Sequence, residues 1–358
     1  MDDVMRPLNY NIAQETRAKA NGKGTDGSID AEEEIFRSKY RPLKYVVDKV
    51  HLDFVLEPAK TIITTDMYIG LNSLWEESIN QQNENVLVLD GQETDVSLWS
   101  IAMDGKELER GIHYELNTGK LILRDPKGGS VLRTVVTIPE SNTILEGLFK
   151  TDGLYCTQCE ADGFRRITYF PDRPDNICLF EKVRIEACTK EYPVLLSNGI
   201  PIEKGTLDEG RRHFIVFSDV FPKPCYLFAL VAGDLEYIED FYITRPSKNK
   251  VALRIYSKAQ YIDKLHHAMT SLKKAMKWDE DNFGLEYDSE LYNIVAVDDF
   301  NAGAMENKSL NIFNASNILA DAKNATDSDF QRVENIVSEA FTNAAASLKA
   351  IHLWCYCA

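Results

Sequence analysis

The first forty residues, which open Met1-Asp2-Asp3, contain no apolar run of signal-peptide length. Nothing later approaches the roughly 20 apolar residues that a membrane span needs. No membrane partner is expected, and the compartment reads as cytoplasmic. Basic charge is also in short supply: 40 Lys plus Arg stand against 56 Asp plus Glu, a formal charge of −16. Nucleic acids and anionic membrane surfaces are bound by clusters of Lys and Arg, so both are disfavoured as partners. The acidic excess suits a cationic partner, or serves solubility alone. The seven cysteines, at 156, 159, 178, 188, 225, 355 and 357, are odd in number and repeat at no spacing. Cys156 and Cys159 make a C-x-x-C, but no second pair or paired histidines complete a zinc ribbon, and the thiols read as reduced structural residues.

What is present divides the chain. Residues 1–40 are polar, with Asn21-Gly22-Lys23-Gly24 and the acidic run from Asp30 to Glu34. Such a segment buries too little apolar surface to offset its ordering entropy, and a mobile extension is expected. From about 41 to 238 short β-type runs recur between turns, and a β-rich domain is expected. Val50, Leu52, Phe54 and Leu56 alternate with His51, Asp53 and Val55, the period of a half-buried strand. Further strands are expected at 61–69, 86–89, 121–123, 130–138, 194–196 and 214–217, with a turn at Asn117-Thr118-Gly119-Lys120. The character then changes. Ile262, Leu265, Met269, Leu272 and Met276 carry helical spacing, and a second helix runs from Phe330 to Ile351, with Asp327 or Ser328 available as its cap. Strand-like segments at 292–297 and 309–313 flank a Gly-containing loop, so residues 239–358 read as α+β.

That loop holds Gly303-Ala304-Met305-Glu306-Asn307. Read by itself it is a polar turn beside a sheet edge, with glycine for backbone freedom. As a pentapeptide it resembles the exopeptidase signature of the aminopeptidase N family of zinc metalloaminopeptidases, the gluzincins. Ile294-Val295-Ala296-Val297-Asp298 before it and Asn307 to Phe313 after it are similar to that family too. So are the Gln158-Cys159-Glu160 segment through Thr168, Pro171 to Asp175, Phe221 to Gly233, and Met276 to Glu280. The resemblance runs from about 40 to 337. It implies a saddle-like β domain followed by a thermolysin-like catalytic domain, and peptides with a free amino terminus as partners. An aminopeptidase must recognise an α-ammonium, and carboxylates do so through short charge-assisted hydrogen bonds. By the resemblance Glu306 and Glu160 are the anchors, converging from the two domains, with the Gln158 amide beside them. Gly303, Ala304, Met305 and Asn307 complete the substrate-binding loop, whose backbone aligns the peptide as a strand.

The family's cofactor is zinc, held by two histidines of an H-E-x-x-H helix and a later Glu. Here the corresponding helix reads Val337-Ser338-Glu339-Ala340-Phe341-Thr342-Asn343. Matching Glu339, Phe341 and Asn343 leaves Ser338 and Thr342 where histidines belong, and Glu339 as the remnant of the general base. The six histidines lie at 51, 113, 213, 266, 267 and 352, and no shift of register brings them in. From about 344 the tail ceases to resemble the family, and residues 239–358 are expected to be an incomplete catalytic domain that binds no metal. Two readings stand. The chain is a truncated or mis-joined product of an aminopeptidase gene, expected to be inactive, or it is a non-catalytic module that binds peptide amino termini.

Overall fold

The computed structural model describes residues 40–57, 59–75, 85–139 and 144–357. The extension expected over 1–40 lies outside the described residues, save for Tyr40, and so do the side chains beyond Ala344. From Pro42 onward the chain forms one compact unit.

Alternation builds the first half. Val50, Leu52, Phe54 and Leu56 are buried while His51, Asp53 and Val55 are only partly covered, so Tyr45–Leu56 lays one face on a core. This strand sits inside an eight-stranded sheet, parallel to Leu179–Cys188 on one side and antiparallel to Lys60–Leu71 on the other. Val131–Pro139, Ser97–Met103 and Lys106–Glu107 continue the sheet beyond Lys60–Leu71, and Arg212–Ser218 and Ile200–Leu207 continue it past Leu179–Cys188. Phe54, Phe164, Phe170, Phe180 and Phe228 meet ring to ring beneath it. A small sheet joins Val86–Asp90, Lys120–Arg124 and Tyr114–Asn117. The Asn117–Lys120 turn closes its hairpin, with Gly119 at φ +72°.

A four-stranded sheet of Val194–Ser197, Leu230–Gly233, Leu154–Gln158 and Gly147–Thr151 comes next, and then a five-stranded one. The five run in the order Glu236–Ile243, Lys250–Ser257, Leu291–Val297, Leu310–Asn314, Ala304–Met305. The middle three are parallel and both edge strands are antiparallel. Helices α1 (His266–Phe283), α2 (Ala315–Ile318) and α3 (Asp327–Cys357) complete the α+β part. Tyr292, Ile294 and Phe313 pack one sheet face against α1 and α3, while Val295, Leu310, Ile312 and Met305 pack the other against Phe149, Leu154 and Val231 of the four-stranded sheet. No helix among the described residues is long and apolar enough to cross a membrane.

Two helix boundaries differ from those expected. Ile262 belongs to a 3-10 turn, Ala259–Lys264, and α1 begins only at His266. A 3-10 turn keeps the i, i+3 spacing of Ile262 and Leu265, so the apolar pattern extends into it. The cap of α3 is neither Asp327 nor Ser328, which lie inside the helix, but Thr326. The Thr326 amide donates to Asp329 Oδ2 at 2.9 Å and the Asp329 amide donates back to Thr326 Oγ1 at 3.4 Å, a reciprocal box across the first turn. That bond and Arg332 hold the Asp329 carboxyl down at about 2.

Candidate active site

Strand Leu154–Gln158 is buried along its whole length, hydrogen-bonded to Gly147–Thr151 on one side and to Leu230–Gly233 on the other. It delivers Gln158 and then turns sharply, the Gly163 amide donating to the Cys159 carbonyl at 3.0 Å. A Cβ on Gly163 would lie 2.5 Å from the Gln158 carbonyl oxygen and 2.7 Å from Cys159 Cα, so only glycine closes this turn. Asp172 holds its far end, accepting from the Arg165 amide at 3.1 Å and from Arg165 Nε at 2.9 Å. Glu160 is thereby left at the exposed crest, with Gln158 buried behind it. Gln158 Oε1 has no hydrogen-bond partner among the described residues.

Strand Ala304–Met305 lies at the edge of the five-stranded sheet, pairing antiparallel with Leu310–Asn314. The Gly303 carbonyl accepts from the Asn314 amide at 3.0 Å, and Met305 anchors the strand in the core. Glu306 follows half-buried, and Asn307 is buried with neither side-chain atom partnered among the described residues. The backbone then reverses through Ser309 at φ +60°. Asn198, buried across the junction, clamps this reversal: its Nδ2 donates to the Lys308 carbonyl at 2.7 Å, while the Gly199 amide donates to Ser309 Oγ at 2.7 Å. The Lys308 ammonium is turned away, paired with Asp288 and standing over the rings of Phe221 and Tyr287.

The structure brings Glu160 and Glu339 each within electrostatic reach of Glu306. Burial pushes the Glu306 carboxyl above the ordinary glutamate range, and the charges of Glu160 and Glu339 push it further. A hydrogen bond to the backbone of Glu306 itself offsets part of that push. Tyr226 stands beside the same pair, its hydroxyl pKa raised by burial and then by Glu306 and Glu160. Tyr292, fully buried under α3, has a hydroxyl with no hydrogen-bond partner among the described residues and feels Glu306 and Asp279. Neither tyrosine, nor Asp279 or Asn198, was assigned a role from sequence. Tyr226 and Asp279 fall inside segments that carry the family resemblance, and that placement was the signal available.

The donor set does not suit zinc. Ser338 and Thr342 offer hydroxyls, far weaker ligands than imidazole at neutral pH. Thr342 Oγ1 donates its proton to the buried Asp279 carboxylate at 3.1 Å. Among the described residues no three His, Cys, Asp or Glu side chains come together as a metal site. The C-x-x-C thiols are free and buried, with Cys156 pushed up to about 12 and Cys159 pushed well above the ordinary thiol range by burial, so both stay protonated.

Comparison with known proteins agrees with this architecture. Residues 49–227 match the Peptidase M1 N-terminal domain and residues 267–341 the Peptidase family M1 domain. The chain is 46% identical over 313 residues to aminopeptidase N of Caulobacter vibrioides, covering 87% of this chain and 34% of that protein. It is 41% identical over 307 residues to aminopeptidase N of Escherichia coli, covering 86% and 33%. A crystal structure of Legionella pneumophila aminopeptidase A in complex with aspartic acid superposes with a TM-score of 0.78 at 34% identity, over 86% of this chain and 35% of that one. The chain therefore spans about a third of the length of these relatives. With the two matches together covering most of its length, the chain belongs to the M1 peptidase family.

Proposed function

We propose that this chain is the amine-recognising part of an aminopeptidase, and that as it stands it grips the free amino terminus of a peptide without hydrolysing it. The observation that carries the reading is the approach of Glu160 to the half-buried Glu306, whose carboxyl it pushes up. An α-ammonium has three N–H donors. Two carboxylates and the unpartnered Gln158 Oε1 supply three acceptors, and the bonds are of the strong charge-assisted kind. An acylated terminus has neither the charge nor the donors. The edge position of Ala304–Met305 lets a bound peptide add as a further strand, with Asn307 supporting the loop. In this reading residues 41–238 supply one anchor and the incomplete catalytic domain, 239–358, the other.

Hydrolysis is another matter. In the family zinc activates the attacking water; the hydroxyls of Ser338 and Thr342 would hold that metal far more weakly than imidazoles do, so Glu339 would act without its help. A positioned carboxylate alone contributes about 10²–10⁴-fold, against the 10⁶-fold or more of an enzyme. The test pairs two measurements on the full chain supplied with zinc. An alanyl reporter should show no turnover above background. Calorimetry should show binding of an aminoacyl amide that N-acetylation and Glu306→Ala each weaken by about tenfold or more. Zinc-dependent turnover abolished by Glu306→Ala would overturn the inactivity, and indifference to acetylation would overturn the anchoring.

A further inference from the structure

A groove of about 340 Å³ runs along α3, with one end toward Glu339. Glu339 and Ile336 line that end, and Asn317 of α2 faces them. A Cβ on Gly303 would come within 3.1 Å of Ile336 Cδ1 and 3.2 Å of Asn317 Nδ2, so the groove begins where the amine-anchoring strand begins. Its floor is one face of the helix, because Ser328, Gln331, Arg332, Asn335 and Glu339 recur at helical spacing. The amides of Asn317, Gln331 and Asn335 each offer both donors and an acceptor, the inventory that pairs with peptide backbone whatever the side chains. The far end changes sign. Arg332 stands there, with Nη1 bonded to Asp329 Oδ1 at 2.8 Å, which holds the guanidinium in place at the cost of part of its charge.

We propose that this groove takes the downstream residues of a short peptide and that Arg332 receives its terminal carboxylate. The proposal rests on the amine-anchoring reading above. Glu339 and Arg332 are seven residues apart on the helix, about 10 Å along its axis. Extended peptide covers that in about three residues at roughly 3.3–3.6 Å each. With acidic anchors at one end and a guanidinium at the other, the site selects zwitterionic tri- and tetrapeptides over longer chains.

The test is calorimetry on the full chain with trialanine, tetra-alanine and hexa-alanine, and with trialanine amidated at its carboxyl end or acetylated at its amino end. Amidation should weaken trialanine about threefold to fivefold, the range for an exposed ion pair, and Arg332→Gln should do the same to the free acid. Arg332→Lys should recover part of the loss, and hexa-alanine should be indifferent to both substitutions. Arg332 is exposed, and matching circular dichroism spectra establish that the variants fold. Equal affinity for acid and amide, with acetylation still harmful, overturns this proposal and leaves the amine reading standing. Failure of every peptide to bind, or indifference to acetylation, overturns both.

Discussion

Glu306 is a carboxylate whose surroundings disfavour its own charge, and that tension sets its use. Burial and the neighbouring Glu160 and Glu339 raise its pKa, and an incoming ammonium reverses both effects. The sign follows. Below the raised pKa Glu306 is protonated and one anchor is lost; above the ligand amine's pKa, near 7.7–8.0, the ammonium is lost instead. Amine affinity should therefore peak between the two. Its acid limb should lie at a higher pH than an ordinary glutamate would impose, and binding within that limb should release a proton. Calorimetry in buffers of different ionisation enthalpy reads both quantities. Proton uptake, or an affinity flat through the acid range, would show that Glu306 does not meet the amine.

A short turn carries Glu160, the other anchor proposed, and its geometry tolerates little. Gly163→Ala would press a methyl group against the Cys159 backbone and the carbonyl of Gln158, a residue paired with Gly147 in the sheet. Overpacking of this kind costs about 1–3 kcal/mol. The substitution should lower stability in urea by that amount and weaken amine binding together with it, because Glu160 sits on the crest of the same turn. A variant with unchanged stability and binding would mean that the turn relaxes freely. Element positions were largely legible before the structure: the alternation around Phe54, the Asn117–Lys120 turn and the strands flanking residue 306 were all expected. Asp279 was not. It lies on the buried face of α1, in line with Leu272 and Met276, and a pattern that counts apolar residues passes over a carboxylate there.

Across the molecule, the β-rich half and the α+β half share a core in which Leu154 and Val231 meet Val295 and Ile312. Asn198 stitches that junction with a fully used amide, accepting from the Ala229 amide at 2.7 Å and donating to the Leu227 and Lys308 carbonyls at 3.0 and 2.7 Å. Asn198→Ala leaves those buried backbone groups unpartnered, at a cost of about 1–3 kcal/mol. The loss should show in chemical denaturation and as faster amide exchange at Ala229. A cost under about 0.5 kcal/mol would mean that water or a backbone shift replaces the side chain, and that Asn198 does not secure the loop after Glu306.

Local pattern alone determined the run of strands and the switch to helices, and the motifs Gln158–Glu160 and Gly303–Asn307 and the hydroxyls of Ser338 and Thr342 were equally plain in it. These depend on residue identity and on spacing within a few positions, which a linear chain states outright. Only the tertiary structure decided that Glu160 acts on Glu306 across the fold. Only there does Thr342 bond to Asp279, and only there does a polar face of α3 open beside Gly303. Each of these depends on how separate sheets and helices pack, because burial and Coulomb interaction follow distance in space rather than order along the chain.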